Sequence, residues 1–234
     1  MYTSLIQKID RDIAAQLKTL GVGEKTHPKL QFPTITISRE FGCEGIPVAQ
    51  ALVRKLSTKE YPWVIFHREL IAELSGKSEL QKDLIESINT LSRGMIHQYI
   101  EHLLAHKPTN VQLYRKMAEA MRILAMNGRS ILLGSGGAIL TSDIKNALHI
   151  RLQANLEFKT ERVCQLLEVS RAEAIEQIRT NDINREEFIY EFTRKDVREP
   201  HHYHLVIDNS VFNAEQIAEL VHHSLKMRNM LPEI

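Results

Sequence analysis

Gly42, Cys43, Glu44 and Gly45 lie between four β-branched residues, Thr34, Ile35, Thr36 and Ile37, and an apolar stripe of Val48, Leu52, Val53 and Leu56. The first run favours a strand, and the spacing of the second favours a helix. A strand that ends in a glycine turn and reopens as a helix aims several backbone N–H groups, and the positive end of the helix dipole, at one point. The chemistry open to such a turn is to hold an anion, above all a phosphate. A complete triphosphate turn would also carry a lysine directly after its second glycine and a hydroxyl residue behind it. Ile46 and Pro47 hold those places, so the lysine is missing. Cys43 is either a thiol activated by the helix start or a small residue in a tight turn.

A second glycine cluster, Gly134-Ser135-Gly136-Gly137, follows the apolar run Ser130–Leu133. Glycines at the carboxyl end of a strand let a ligand approach the backbone closely, at the edge where open α/β sheets bind their ligands. The histidines do not make comparable sets. His102 and His106 share a helix face and His97 lies in the same stretch, but no adjacent cysteine, Glu-x-x-His or carboxylate partner completes a metal site. His201, His202 and His204 read as the exposed start of a strand over Leu205–Asp208, with His202 and His204 on one side.

The elements that must position these groups alternate along the chain. Residues 4–20 carry Leu5, Ile6, Ile9, Ile13, Leu17 and Leu20 at helical spacing and stop near Gly21 and Gly23. After the first strand and helix, Tyr61–Phe66 reads as a strand and residues 67–108 as largely helical. Asn110 is placed to cap a helix running through Ala125, and Asn127-Gly128 turns the chain into the strand Ser130–Leu133. His149–Leu152 is the next strand and Leu156–Leu167 its helix, with Arg151 in the strand facing a cleft or a neighbouring helix. Ser170 with Glu173 has the spacing of a capping box, opening a helix that gives way at Asn181. A last strand, Leu205–Asp208, precedes a helix over Ala214–Lys226. Strands and helices alternating with crossover lengths between them predict an α/β fold with a mainly parallel sheet of about five strands, covered on both faces.

The chain has 234 residues, 43% hydrophobic and 25% charged. That is long enough to bury about 70% of the surface of the extended chain in one main domain. With 30 Lys and Arg against 29 Asp and Glu, the formal charge of +1 gives no general drive toward nucleic acid or an anionic membrane. No run approaches the roughly 18 to 20 apolar residues of a membrane span, and the expectation is a cytoplasmic protein.

The segment Ser38 to Leu52 resembles the opening of the cytidylate-kinase-like family, a branch of the P-loop nucleoside monophosphate kinases whose typical form is close to SREFGSGGREIAxxLA. Met117 to Ala138, and the run from His149 through Arg162 to Asn209, agree with the family in order and spacing. The resemblance implies a three-layer P-loop kinase fold over residues 33–226, after an N-terminal helix and linker (1–32) and before a short tail (227–234). Within it, residues 67–108 correspond to the monophosphate side and 179–200 to the lid. The activity implied is phosphoryl transfer from ATP, with Mg²⁺, to a nucleoside monophosphate, CMP or dCMP first. The alternatives are a weak or inactive nucleotide-binding protein, or an interaction protein on the same fold that forms homo-oligomers through its N-terminal helix.

Residue by residue, the resemblance places Ser38, Arg39, Gly42, Cys43, Glu44 and Gly45 at the donor phosphates. His67, Arg93, Gly134, Ser135 and Gly136 fall on the acceptor side. His67 stands where the family commonly has an aspartate, and Ser135 where it often has an arginine. Arg162, Arg185, Arg194 and Arg198 are the cations expected to neutralise the transferred group, Arg162 having a solvent-facing helical charge as its competing reading. Lys159 stands where relatives tend to carry a basic residue in the first turn of that helix. Asp182 and Asp196 are the candidates to position Mg²⁺.

Overall fold

The computed structural model describes residues 32–67 and 111–232. The N-terminal helix and linker, most of the monophosphate-side helices and Arg93 therefore lie outside the described residues. Five strands, β1 (Thr34–Arg39), β2 (Val64–His67), β3 (Ser130–Leu133), β4 (Ala147–Gln153) and β5 (Leu205–Asp208), form one sheet in the order β2-β3-β1-β4-β5. Every pairing is parallel. β1 is central because both its edges are paired, to β3 from Thr34 opposite Ser130 and to β4 from Thr34 opposite Ala147.

Side chains of β1 alternate between two buried faces. Ile35 and Ile37 meet Val48, Ala51 and Leu52 of α1 (Gly45–Leu56) and Ile217, Val221 and Leu225 of α6 (Ala214–Met227). Thr34 and Thr36 point the other way, toward α2 (Val111–Asn127) and the short α3 (Gly137–Leu140). There Thr34 Oγ1 donates to Ala125 O at 3.0 Å, and Thr36 Oγ1 lies 2.9 Å from His149 Nδ1. The result is three layers, helix, sheet and helix. The connections after β1 and β4 leave in opposite directions, toward β2 and β5, which opens a crevice at the carboxyl ends of these two neighbours.

Two helices complete the site. α4 (Leu156–Leu167) is capped by Asn155, and α5 (Arg171–Thr193) opens with the Ser170–Glu173 capping box expected from sequence. α5 does not give way at Asn181 but runs unbroken for 23 residues. Its second half is anchored by Phe188, Ile189 and Phe192, with Phe192 stacked on Tyr114 of α2 at 4.2 Å and Phe188 edge-on at 5.4 Å. The asparagines at 181 and 184 are poor helix formers, and burial of these aromatic rings overrides them. The chain beyond Met227 also differs from a free tail. It folds back so that Met230 N donates to Leu225 O, and the Met230 side chain is buried in the core.

The histidine tract is likewise not the start of a strand. Pro200–His202 is a 3₁₀ turn, and His204 stacks on buried His149 with centroids 4.9 Å apart. His204 Nδ1 accepts from His149 N at 2.9 Å. Burial, helped by His204 and Arg228, pulls the His149 pKa from 6.5 down to about 4. The unfolded chain therefore binds a proton at His149 that the folded chain refuses between these values. The stabilisation from keeping it neutral is complete above pH 6.5 and is lost as the pH falls toward 4, roughly 3 kcal/mol in all. Denaturant unfolding at pH 7, 5.5 and 4 is expected to show this loss in the wild type and a smaller one in His149→Gln.

Candidate functional site

At the end of β1 the chain turns through Glu40, Phe41, Gly42, Cys43 and Glu44 into α1. Gly42 has φ 92°, and a Cβ there would lie 3.0 Å from Cβ of Lys159. α4 thus packs directly on the turn, and the glycine is what allows it. Lys159 lays its Nζ between two carboxylates, 2.9 Å from Glu40 Oε2 and 3.4 Å from Asp182 Oδ2. Burial works against its charge, but the two carboxylates win and raise its pKa above the ordinary lysine value.

Four backbone donors of the turn and the helix start, those of Phe41, Cys43, Glu44 and Gly45, have partners within the protein. Phe41 N donates to Asp182 Oδ1 at 2.6 Å, and Glu44 N to Asn209 Oδ1 at 2.6 Å. Cys43 N reaches Glu40 O at 3.3 Å and Gly45 N reaches Cys43 O at 3.0 Å. Arg162 crosses from α4 to give Nε to Gly42 O and Nη1 to Glu44 Oε1, both at 2.9 Å. Asn209 Nδ2 holds the other oxygen, Glu44 Oε2, at 3.1 Å. Burial pushes the Cys43 thiol up to about 12, Glu40 and Asp182 adding to the rise and Lys159 opposing it. Of the two readings of Cys43, the activated thiol is the one this environment disfavours.

Beside the turn, over the carboxyl ends of β1 to β4, is a cavity of about 520 Å³. Its cationic wall is Arg39, Arg151 and Arg185, and its flat apolar wall includes Phe188 and Tyr203. Arg151 is 8% exposed, donates Nη1 to Val197 O at 3.1 Å, and has Nη2 3.7 Å from Glu40 Oε1. Tyr203 Oη donates to the same Val197 carbonyl at 2.6 Å. Arg185 sits over the Phe41 ring at 5.3 Å, and its Nη1 is buried with no partner among the described residues. Burial lowers the pKa of this guanidinium, against the pull of Asp182.

The glycine cluster after β3 forms the floor. Gly134, Ser135 and Gly136 all have positive φ, 81°, 55° and 75°. The left-handed backbone strains Ser135, which is not a glycine, by about 1–3 kcal/mol, and its Oγ is buried without a partner among the described residues. A Cβ at Gly134 would fall 2.1 Å from Arg39 Nη1, so the bare backbone here is what lets the Arg39 guanidinium lie against it.

Of the residues singled out from sequence, Ser38, Arg39, His67, Gly134, Ser135, Gly136 and Arg185 line this one cavity. Gly42, Cys43, Glu44 and Gly45 form the turn, with Arg162 and Asp182 bound to it. Arg194 and the pair Asp196–Arg198 are elsewhere. Arg194 lies over the Tyr190 ring and lines a separate cavity that also contains His149 and His204. Arg198 binds Asp196, Nη2 to Oδ2 at 2.7 Å, and lies 3.6 Å from Glu186. Both aspartates offered for Mg²⁺ thus hold protein donors, and among the described residues no group of three or more His, Cys, Asp or Glu is placed to bind a metal. In this arrangement Asp182 is engaged by Phe41 N and Lys159 and Asp196 by Arg198, so either would have to exchange a protein donor to meet a Mg²⁺ brought in with a nucleotide. Sequence reasoning passed over Glu40, Phe188 and Tyr203. The signal for Glu40 lay in Arg151, a cation within the mainly apolar β4, and in Lys159 in the first turn of α4, which once buried need a carboxylate between them.

The sequence matches the model of the Cytidylate kinase-like family over residues 34–211, more than half of the chain. The chain belongs to that family. Among solved structures, this cytidylate kinase-like chain is similar to an uncharacterized protein from Eubacterium ventriosum, with a TM-score of 0.66 at 18% identity, covering 85% of this chain and 99% of that one. A shikimate kinase from Bacteroides thetaiotaomicron aligns over 84% of this chain and 98% of its own, at 13% identity and a TM-score of 0.44. A curated relative, the uronate isomerase of Corynebacterium glutamicum, is 32% identical over 97 residues, 42% of this chain. The alignment spans about a fifth (19%) of that isomerase. Together with the five parallel strands and the strand–turn–helix at 34–56, family membership makes the architecture a P-loop kinase fold whose turn lacks the lysine. Among the described residues no helix is long and apolar enough to cross a membrane.

The chemistry of the turn is checked through its thiol. In a Cys164→Ser background at pH 8, Cys43 is expected to react with iodoacetamide about 10³-fold more slowly in the folded protein than in denaturant, because so little of it is thiolate. A folded-state rate within tenfold of the denatured one would contradict the buried, acid-flanked environment.

Proposed function

We propose that the arginine-lined cavity binds a nucleoside monophosphate, CMP or dCMP first among them, and that the chain transfers to it a phosphoryl group from Mg-ATP. The observation that carries this reading is the buried Arg185 Nη1, with no partner among the described residues, on the same cavity as Arg39 and Arg151. A buried donor left unmade costs about 1–3 kcal/mol, and a phosphate oxygen would recover it in a charge-assisted bond. A cavity of about 520 Å³ is in the size range of small-ligand sites. Phe188 and Tyr203 offer flat faces to a base, and the Ser135 hydroxyl offers a further polar contact beside Arg39.

Membership of a kinase-like family supports ATP as the donor, and the position of the cavity beside the glycine turn suits transfer between neighbouring ligands. Phosphoryl transfer needs positioning and positive charge more than a covalent nucleophile. Arg39 and Arg185 would hold the acceptor phosphate, with Arg151 fixed behind them by Val197 and Glu40. Arg162 would supply charge on the donor side. A second reading, binding without turnover, is favoured by one specific observation: Arg162 is committed to Gly42 O and Glu44.

Calorimetric titration with CMP and dCMP, followed by Mg-ATP with CDP formation read in the same samples, separates the two. Micromolar binding with CDP formation is the expected result, and binding without CDP selects the second reading. Arg185→Ala is expected to weaken CMP binding about 10- to 100-fold, the loss of one charge-assisted contact of about 1.5–3 kcal/mol. Arg185→Lys should recover only part of it, having the charge without the planar fork. Undetectable binding of either nucleotide, or an unchanged affinity in Arg185→Ala, would sink the proposal.

A further inference from the structure

The glycine turn and the cations beside it offer groups that an anion could use, and two of the chain's own carboxylates already engage some of them. The carboxylate of Asp182, carried on α5, sits on Phe41 N at 2.6 Å and is shared with Lys159. The carboxylate of Glu44, at the N-cap of α1, is clamped between Arg162 Nη1 at 2.9 Å and Asn209 Nδ2 at 3.1 Å. Asn209 also occupies the Glu44 amide through its own carbonyl oxygen. These side chains engage two backbone donors of the turn and both cations of α4, the groups a phosphate chain would need there.

We infer that the turn is held shut by the chain's own carboxylates, Asp182 and Glu44, and that a polyphosphate ligand binds there by exchanging with them. The inference rests on the reading of the turn as the donor-phosphate seat and specifies how that seat is regulated. Three features support exchange rather than simple addition. The internal acceptors are anions, so an incoming phosphate meets like charge as well as occupied donors. Lys159 keeps Glu40 at 2.9 Å when Asp182 leaves, so release of Asp182 does not strand a buried cation. Both displaced side chains are partly exposed, 20% each, and water can take over their solvation.

The inference reverses the usual expectation for substitutions in a binding site. If Asp182 and Glu44 hold a ligand, their removal weakens binding; if they occupy its place, removal strengthens it. The probe is inorganic pyrophosphate in the presence of EDTA, titrated calorimetrically into the full chain, so that no metal bridges ligand and aspartate. Asp182→Ala and Glu44→Ala are each expected to bind it about tenfold or more tightly than the wild type, and the double variant more tightly still. Asp182→Asn and Glu44→Gln keep shape and an acceptor oxygen while removing the charge. They are expected to gain affinity by less, and they carry the test if the alanine variants fail to fold.

Equal or weaker pyrophosphate binding in the folded variants would overturn the inference, as would no detectable binding in any of them. CMP titrated into the same samples reads the arginine cavity separately. Loss of CMP binding together with a gain for pyrophosphate would reject the acceptor-site proposal and leave the closed turn standing.

Discussion

Glu40 ends the central strand with a carboxylate that cannot be left alone. Lys159 takes one of its oxygens, Arg151 approaches the other, and the Lys159 side chain is about nine-tenths buried. Removing one partner of a buried pair costs about 3–5 kcal/mol because the other charge is stranded, so these groups hold one another in place. Through them the end of β1 is tied to β4 by Arg151, to α4 by Lys159 and, by way of Asp182, to α5. The crevice that strand order opens at the sheet edge is in this way given fixed walls. Arg151 reaches the cavity only because Glu40 and the Val197 carbonyl steady it from behind.

The same network explains the character of the turn. A phosphate-binding turn normally draws much of its attraction from unpaired N–H groups and a lysine beside the second glycine. Here Ile46 stands in place of that lysine, Pro47 brings no N–H, and the cations arrive from other elements: Lys159 and Arg162 from α4, Arg185 from α5. Each comes with a carboxylate nearby. The site is consequently close to neutral overall and strongly polar locally, and its behaviour depends on which oxygens the cations face.

Much of the architecture was legible in the sequence because its signals are local. The β-branched run at 34–37, the bounds of α4 and the capping box at Ser170 each lie within a few residues of the structure they determine. The glycines at 134 and 136 marked the cavity floor because the left-handed backbone there is a local demand. The partners of the turn were not legible. Asp182 lies 141 residues from Phe41, and Asn209 lies 165 from Glu44. No spacing rule joins such pairs, and a lone aspartate in a polar stretch reads equally well as a metal ligand, a solvated charge or a cap. The continuity of α5 was missed for a related reason. Asn181, Asp182 and Asn184 argue locally against a helix, while the argument for it, Phe192 against Tyr114, comes from a helix some 80 residues earlier in the chain.

Asp182 and Arg185 stand three residues apart on α5, on neighbouring positions of one helical face, the first bound to the turn and the second aimed at the cavity. Over a single turn a helix is stiff, so a shift of its axis moves both. The two proposed anion seats therefore share a mechanical element, and a ligand drawn to one would change the free energy of occupying the other. Thermodynamic linkage makes that influence equal in both directions. For the phosphoryl transfer proposed above, such coupling would make the second seat available in proportion to how firmly the first is filled, and would keep a triphosphate from water until its acceptor is in place.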